Sequence, residues 1–282
     1  MHPRLFSTLI LLDPVIQTIS GGVLPDSTTD RVGVANASTW RRDLWPTRDA
    51  AKTAFAKSPF YQAWDPRVFD RWIRYGLRNL PTAIYPELPE QSDPRNPPVT
   101  LLTTKHQEVW TFQRANYGGR DSSGKLVIDR NTHADADPSS HVYPFYRPEP
   151  LSTHKKLPHV RPSALWILGE KTSLPLTDIL QGAELMGTGV GGSGGMADGR
   201  VKSILIPDVG HLVPMEAVDK TAEECVEWLG QEMRRWQTTE DLWQKNYAAR
   251  SKKDKLMVDE EWKKRVGSLP PKTKARVSPA KL

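Results

Sequence analysis

At 282 residues the chain can bury a sizeable core, as one large domain or two small ones, and its 24 prolines point to long irregular connections. No apolar run approaches the ~20 residues of a membrane span, so a soluble protein is expected. The single cysteine, Cys225, excludes an intramolecular disulfide, and with no signal peptide it points to a reducing intracellular compartment.

The net charge of +6 is uneven: residues 250–282 hold 11 Lys/Arg against 4 Asp/Glu, a net +7. The basicity belongs to that tail, which has few aromatics and no nucleic-acid-binding fold, so it reads as a solvated tail and no nucleic-acid partner is expected.

In chain order, Thr8–Leu12, T-L-I-L-L, is a near-continuous apolar run that ends in Asp13-Pro14. That is the pattern of a strand covered on both faces and paired on both sides. So central a strand rarely opens a chain, and here it would expose an apolar edge, so further strands are expected upstream of Met1. Residues 17–159 read as proline-rich loops and helices. Asp65-Pro66 fits an N-cap with proline at the first helical position, opening a helix that runs to Leu80. T-x-x-Q at 104–107 fits a capping box opening a helix through Trp110 and Phe112. With Trp40, Trp45, Phe60, Tyr61 and Trp64 the region reads as a helical cap over a substrate pocket, although aromatics at helical spacing are more often core.

Residues 163–168, S-A-L-W-I-L, predict a second buried strand, with Gly169-Glu170-Lys171-Thr172 as its exit loop. A glycine-rich stretch, 187–200, leads to a third strand at 204–206. Pro207 breaks that strand and Gly210 lets the backbone turn, so His211 stands on a loop just past the strand end. Ala222, Val226, Leu229, Met233 and Trp236, spaced by 4, 3, 4 and 3, predict an amphipathic helix over 221–236. One more helix is expected near 241–247, followed by a disordered Lys/Pro-rich tail.

The sequence of strand, G-H-x-x-P loop and helix resembles the end of an α/β-hydrolase. The resemblance implies that His211 is the general base of a Ser–His–acid triad. It leaves two acids open. The family often places the acid as G-x-x-D after the penultimate strand; here the pattern ends in Thr172, with Glu170 nearby. Asp13, at the tip of the strand before, matches the placement in pancreatic-type lipases, though Asp-Pro is also a common turn. Gly191-Gly192-Ser193-Gly194-Gly195 matches the letters G-x-S-x-G. Ser193 nevertheless lacks the preceding strand and following helix of a nucleophile elbow, and reads as part of a flexible surface loop. The stretch is no phosphate-binding loop either. No other serine has an elbow context, so the nucleophile is expected outside this chain. His106 and Glu108, and the group His133, Asp135, Asp137 and His141, lie in settings unsuited to a metal. No metal or cofactor is expected.

The strand with Asp13-Pro14, W-D-P-R-V at 64–68, V-T-L-L-T-T-K-H-Q-E at 99–108, the glycine-rich loop and G-H-L-V-P-M-E at 210–216 together resemble the fungal α/β-hydrolases of the toxin-biosynthesis type. Several of these end in a peroxisomal signal. The resemblance implies an α/β fold of which this chain holds the C-terminal part: three mostly parallel strands with a large inserted helical cap. Residues 1–16 and 160–236 would form the partial core, 17–159 the cap, and 237–282 a charged extension. Ala280, Lys281 and Leu282 form a variant of the C-terminal S-K-L address, which implies the peroxisomal import receptor as a partner and the peroxisome as location, the cytoplasm being the alternative. The implied function is hydrolysis of an ester or acyl-thioester, with a small hydrophobic or acyl substrate. The alternative is a non-catalytic remnant of the fold that binds a ligand or partner.

Overall fold

A computed structural model describes residues 5–18, 33–90 and 92–268. The terminal Ala280-Lys281-Leu282 lies outside the described residues. The chain divides into two compact units, Met1–Leu229 and Gly230–Leu282. The first begins with β1 (Thr8–Leu12), α1 (Gly33–Trp40), β2 (Leu44–Trp45), α2 (Arg48–Ala56), α3 (Pro59–Gln62) and α4 (Pro66–Tyr75). It continues through β3 (Leu77–Asn79), β4 (Val99–Leu101), α5 (Lys105–Phe112), β5 (Arg114–Ala115), β6 (Phe145–Tyr146) and α6 (Glu149–His154). Next come β7 (Ser163–Gly169), α7 (Leu176–Leu185), β8 (Val201–Ile206), α8 (Val213–Glu216) and α9 (Val218–Trp243), whose C-terminal part lies in the second unit.

The principal sheet is parallel, in the order β1-β7-β8, with Leu12 opposite Ile167 and Gly169 opposite Ile206. Its central strand β7 is buried at every residue, as a continuous apolar run covered on both faces should be. The period of two sorts its side chains. Ala164, Trp166 and Leu168 pack with Ile179, Ala183 and Met186 around α7, whereas Leu165 and Ile167 pack with Val209, Val213 and Trp228. The sheet is thus covered by α7 on one face and by α8 and α9 on the other. β1 is half-buried, with Leu12 37% exposed, because among the described residues it pairs only with β7 and lies at the sheet's edge.

Two smaller antiparallel sheets, β2-β4-β3 and β5-β6, lie in the long insertion between β1 and β7. The first shares a core of Trp45, Ala51, Phe55, Ile73, Leu77, Val99 and Leu101, onto which Tyr61 and Trp72 pack. Of the aromatics singled out in the sequence, Trp45 and Trp64 are buried, while Trp40 and Phe60 are exposed. Asp65 caps α4, accepting from the Arg67 amide at 2.8 Å, with Pro66 at the first position. The helix stops at Tyr75, not Leu80: at Gly76 the chain turns into β3, so Leu77 is buried by pairing with β4 and not by the helix face. The capping box at Thr104 and Gln107 is present, with both reciprocal bonds.

The helix predicted over 221–236 is α9, but turned from the expected face. Thr221 and Trp228 face inward, and the Trp228 indole N–H donates to the Thr8 hydroxyl at 2.9 Å. Val226, Leu229, Met233 and Trp236 are exposed. The glycine-rich stretch also departs from expectation. It is tied down by backbone bonds from Gly189 to Pro158 and from Ser193 to Val160, with positive φ at Gly187, Gly191, Gly194, Gly195 and Gly199. These glycines serve a tight fold of the loop. In the second unit, α9 runs into a π-helical turn (Gln244–Ala248), followed by α10 (Lys252–Leu256) and α11 (Glu260–Val266).

Candidate active site

All three strands of the principal sheet run the same way, so their carboxyl ends converge on one edge. Asp13 follows β1, Glu170 to Thr172 follow β7, and His211 follows β8. Ligand sites of open α/β sheets form in this position. The structure brings together Asp13 and His211, 198 residues apart in the chain: Nδ1 of His211 lies 2.7 Å from Oδ2 of Asp13. The Asp13 side chain is fully buried, and that of His211 is 38% exposed. With Nδ1–H donating to the carboxylate, the Nε2 lone pair is left for a proton from elsewhere. Among the described residues Nε2 makes no hydrogen bond to protein.

Asp13 is held in three ways. Its amide donates to the Ile167 carbonyl at 2.8 Å, so the ladder with β7 extends one residue past the strand. Its backbone takes φ 41°, in the left-handed region that aspartate tolerates better than most residues. Its Oδ2 accepts a second bond, from the Thr172 hydroxyl at 2.5 Å, whereas Oδ1 is buried without a partner among the described residues. Glu170 is not brought to His211. Its Oε2 accepts from the Asp208 amide at 3.0 Å, closing the turn after β8, where Asp208 stands at φ 60°. Beside it the Lys171 ammonium, 2.7 Å from Asp208, holds the Asp208 carboxyl below the usual carboxylate range.

Two features fix the histidine loop. Gly169 lets the end of β7 approach it so closely that a Cβ there would stand 2.0 Å from the Gly210 carbonyl oxygen. Glu216 accepts from the amides on either side of His211, Gly210 at 2.7 Å and Leu212 at 3.2 Å. Neither role was assigned from the sequence. Glu216 stood within the G-H-x-x-P-M-E motif, and a carboxylate at that spacing was the available signal. Ser193 makes its contacts in the glycine-rich turn, where its Oγ accepts from the Gly195 amide. Away from this site, a cavity of about 270 Å³ opens between α1 and α5, with Trp40, Trp110, Tyr117 and Phe145 among its walls. His106, His133 and His141 join no group of metal-ligating side chains among the described residues.

A buried carboxylate bonded to an imidazole thus stands at the carboxyl edge of a parallel sheet, an arrangement that can hold one ring nitrogen protonated and leave the other as a base. The type I acyl-CoA thioesterase mpaH′ of Penicillium brevicompactum is 40% identical over 293 aligned residues, covering 100% of this chain and 65% of that protein. Fungal type I acyl-CoA thioesterases are thus homologues of this chain. The type I acyl-CoA thioesterase mpaH of Penicillium roqueforti is also 40% identical, over 96% of this chain and 63% of its own length. The abhydrolase domain-containing protein AFT2-1 of Alternaria alternata is 27% identical over 80% of this chain and 74% of its own. The chain therefore spans just under two thirds of the length of the thioesterases it matches. No family model matches the chain. Among solved structures, the peroxisomal α/β-hydrolase Lpx1 of Saccharomyces cerevisiae superposes with a TM-score of 0.48 at 16% identity, over 82% of this chain and 47% of that one.

Proposed function

We propose that this protein hydrolyses an acyl-thioester of the acyl-CoA class, with His211 as general base and Asp13 as the acid that orients it. The bond between Asp13 and His211, with Nε2 unbonded among the described residues, carries the reading, and the thioesterase relatives supply the substrate class. In this chemistry a serine hydroxyl attacks the thioester carbonyl while Nε2 takes its proton. The tetrahedral intermediate collapses, and the thiolate leaves with the proton returned by the imidazolium. Nε2 then deprotonates a water that attacks the acyl-serine, and the acid is released with the serine restored. Through both steps the Asp13 carboxylate holds the ring and offsets its transient positive charge. We place the serine outside these 282 residues, because no serine among them has the context of a nucleophile elbow.

In this reading residues 17–159 cap the site and hold the acyl group, and residues 1–16 and 160–236 are the catalytic core. The terminal Ala280-Lys281-Leu282 directs import into peroxisomes if it is the free end of the gene product. A fluorescent fusion carrying that tripeptide should be peroxisomal and should become cytoplasmic on its deletion. A second reading, ligand binding without turnover, is favoured by the aromatic-walled cavity between α1 and α5. The test is release of thiol from acyl-CoA by the full gene product. His211→Ala should lower turnover by about 10³-fold or more while leaving the fold intact. Equal turnover in both proteins overturns the catalytic reading, and stoichiometric acyl-CoA binding without turnover favours the second.

A further inference from the structure

We propose that Thr172 is the positioning residue of the site: its hydroxyl fixes the plane of the Asp13 carboxylate and, through it, the imidazole of His211. The role rests on the acid–base reading above. Among the described residues, the side-chain hydrogen bonds of Asp13 run through one atom. Oδ2 receives Thr172 Oγ1 at 2.5 Å and His211 Nδ1 at 2.7 Å, while Oδ1 has no partner among the described residues. A carboxylate turns about a broad, nearly two-fold torsion, so one bond from His211 leaves its plane loosely set and a second donor fixes it. The carboxylate is fully buried, out of contact with bulk solvent.

Thr172 is itself held to one orientation. Its amide donates to the Gly169 carbonyl at 3.2 Å, and its Oγ1 accepts from the Leu174 amide at 3.3 Å. With that lone pair engaged by Leu174, the hydroxyl proton is directed at Asp13. β-Branching restricts χ1 further. The exit turn of β7, fixed in the sheet by a wholly buried strand, therefore supplies a preset donor to an acid that stands on the neighbouring strand. A hydroxyl suits this place because an ionised oxygen there would repel Asp13.

The test compares Thr172→Val, Thr172→Ser and Asp13→Asn in the full gene product labelled with ¹⁵N-histidine. One readout is the far-downfield Nδ1–H proton of His211 and its exchange with water; the other is acyl-CoA turnover. The unsubstituted protein should show the downfield proton, and Asp13→Asn should lose it. Thr172→Val should move it upfield and speed its exchange, with kcat about tenfold lower and KM unchanged. Thr172→Ser should restore both. If the valine variant does not fold, Thr172→Ala, which places no new atom against the carboxylate, serves for the same measurement. An unchanged resonance in Thr172→Val or Thr172→Ala overturns the proposal. A resonance that responds as expected, in a protein whose turnover is indifferent to His211→Ala, leaves the positioning role standing and removes the catalytic reading.

Discussion

Asp13 and His211 meet through a single 2.7 Å bond, and each neighbour of that bond has a separable task. Asp13→Asn keeps the shape but offers an amide N–H or a weaker acceptor to Nδ1, which disfavours the productive tautomer. Thiol release should fall by about 10³–10⁴-fold with little change in melting temperature. Gly169→Ala places a Cβ 2.0 Å from the Gly210 oxygen, so the histidine loop must move. We expect activity to be lost while circular dichroism still reports the native helices; unchanged activity would show that the strand end yields instead. Glu216→Gln keeps one acceptor oxygen for two amides and should lower turnover by roughly tenfold. His211 was legible in the sequence because a strand, a glycine and a helix bracket it within a few residues. The choice between Asp13 and Glu170 was not legible. Glu170 follows the strand next to β8, yet the Asp208 amide occupies it, and Asp13, one strand further away, is the carboxylate that bonds His211; both are tertiary facts.

At the scale of elements, β7 has no solvent-facing side, so Trp166→Ala should cost about 3–5 kcal/mol in chemical denaturation. The cap of α4 gives a pH signature. Bonds from the side chain and amide of Arg67 lower the Asp65 carboxyl to about 2. A carboxyl depressed on folding contributes stability above its unfolded value of about 4 and loses that contribution as pH falls through its folded value. The start of α4, whose Asp65 amide also bonds the Met215 carbonyl beside the histidine loop, should loosen between about pH 4 and 2. Tryptophan fluorescence from Trp64 and Trp72 should follow it, and Asp65→Asn should abolish that limb of the titration. Caps were readable because they are local: Asp65-Pro66 and the Thr104 box lie within four residues. The end of α4 and the face of α9 were not. β3 forms because β4 is there to receive it, and α9 turns inward at Trp228 because Thr8, 220 residues away in the chain, accepts its indole N–H.

Across the first unit, the site joins the two ends of a long excursion. Thr8 and Ser163 pair at a separation of 155 residues, and the insertion that carries the aromatic core lies between them. β1 is held in place by its ladder with β7, by the Trp228 bond to Thr8 and by the Thr18 bonds to Asp178. The insertion is therefore also a tether, and its length sets the effective concentration at which Asp13 finds His211. A single proteolytic nick in the exposed turn around 121–125 would leave every bond of the site in place but turn one molecule into two associated pieces. The nicked protein should keep its activity when concentrated and lose it on dilution, with a midpoint that reports the affinity of the two pieces for each other. An activity indifferent to dilution would show that the bonds between the pieces, β1 with β7, β5 with β6 and Asp65 with Met215 among them, hold without the tether.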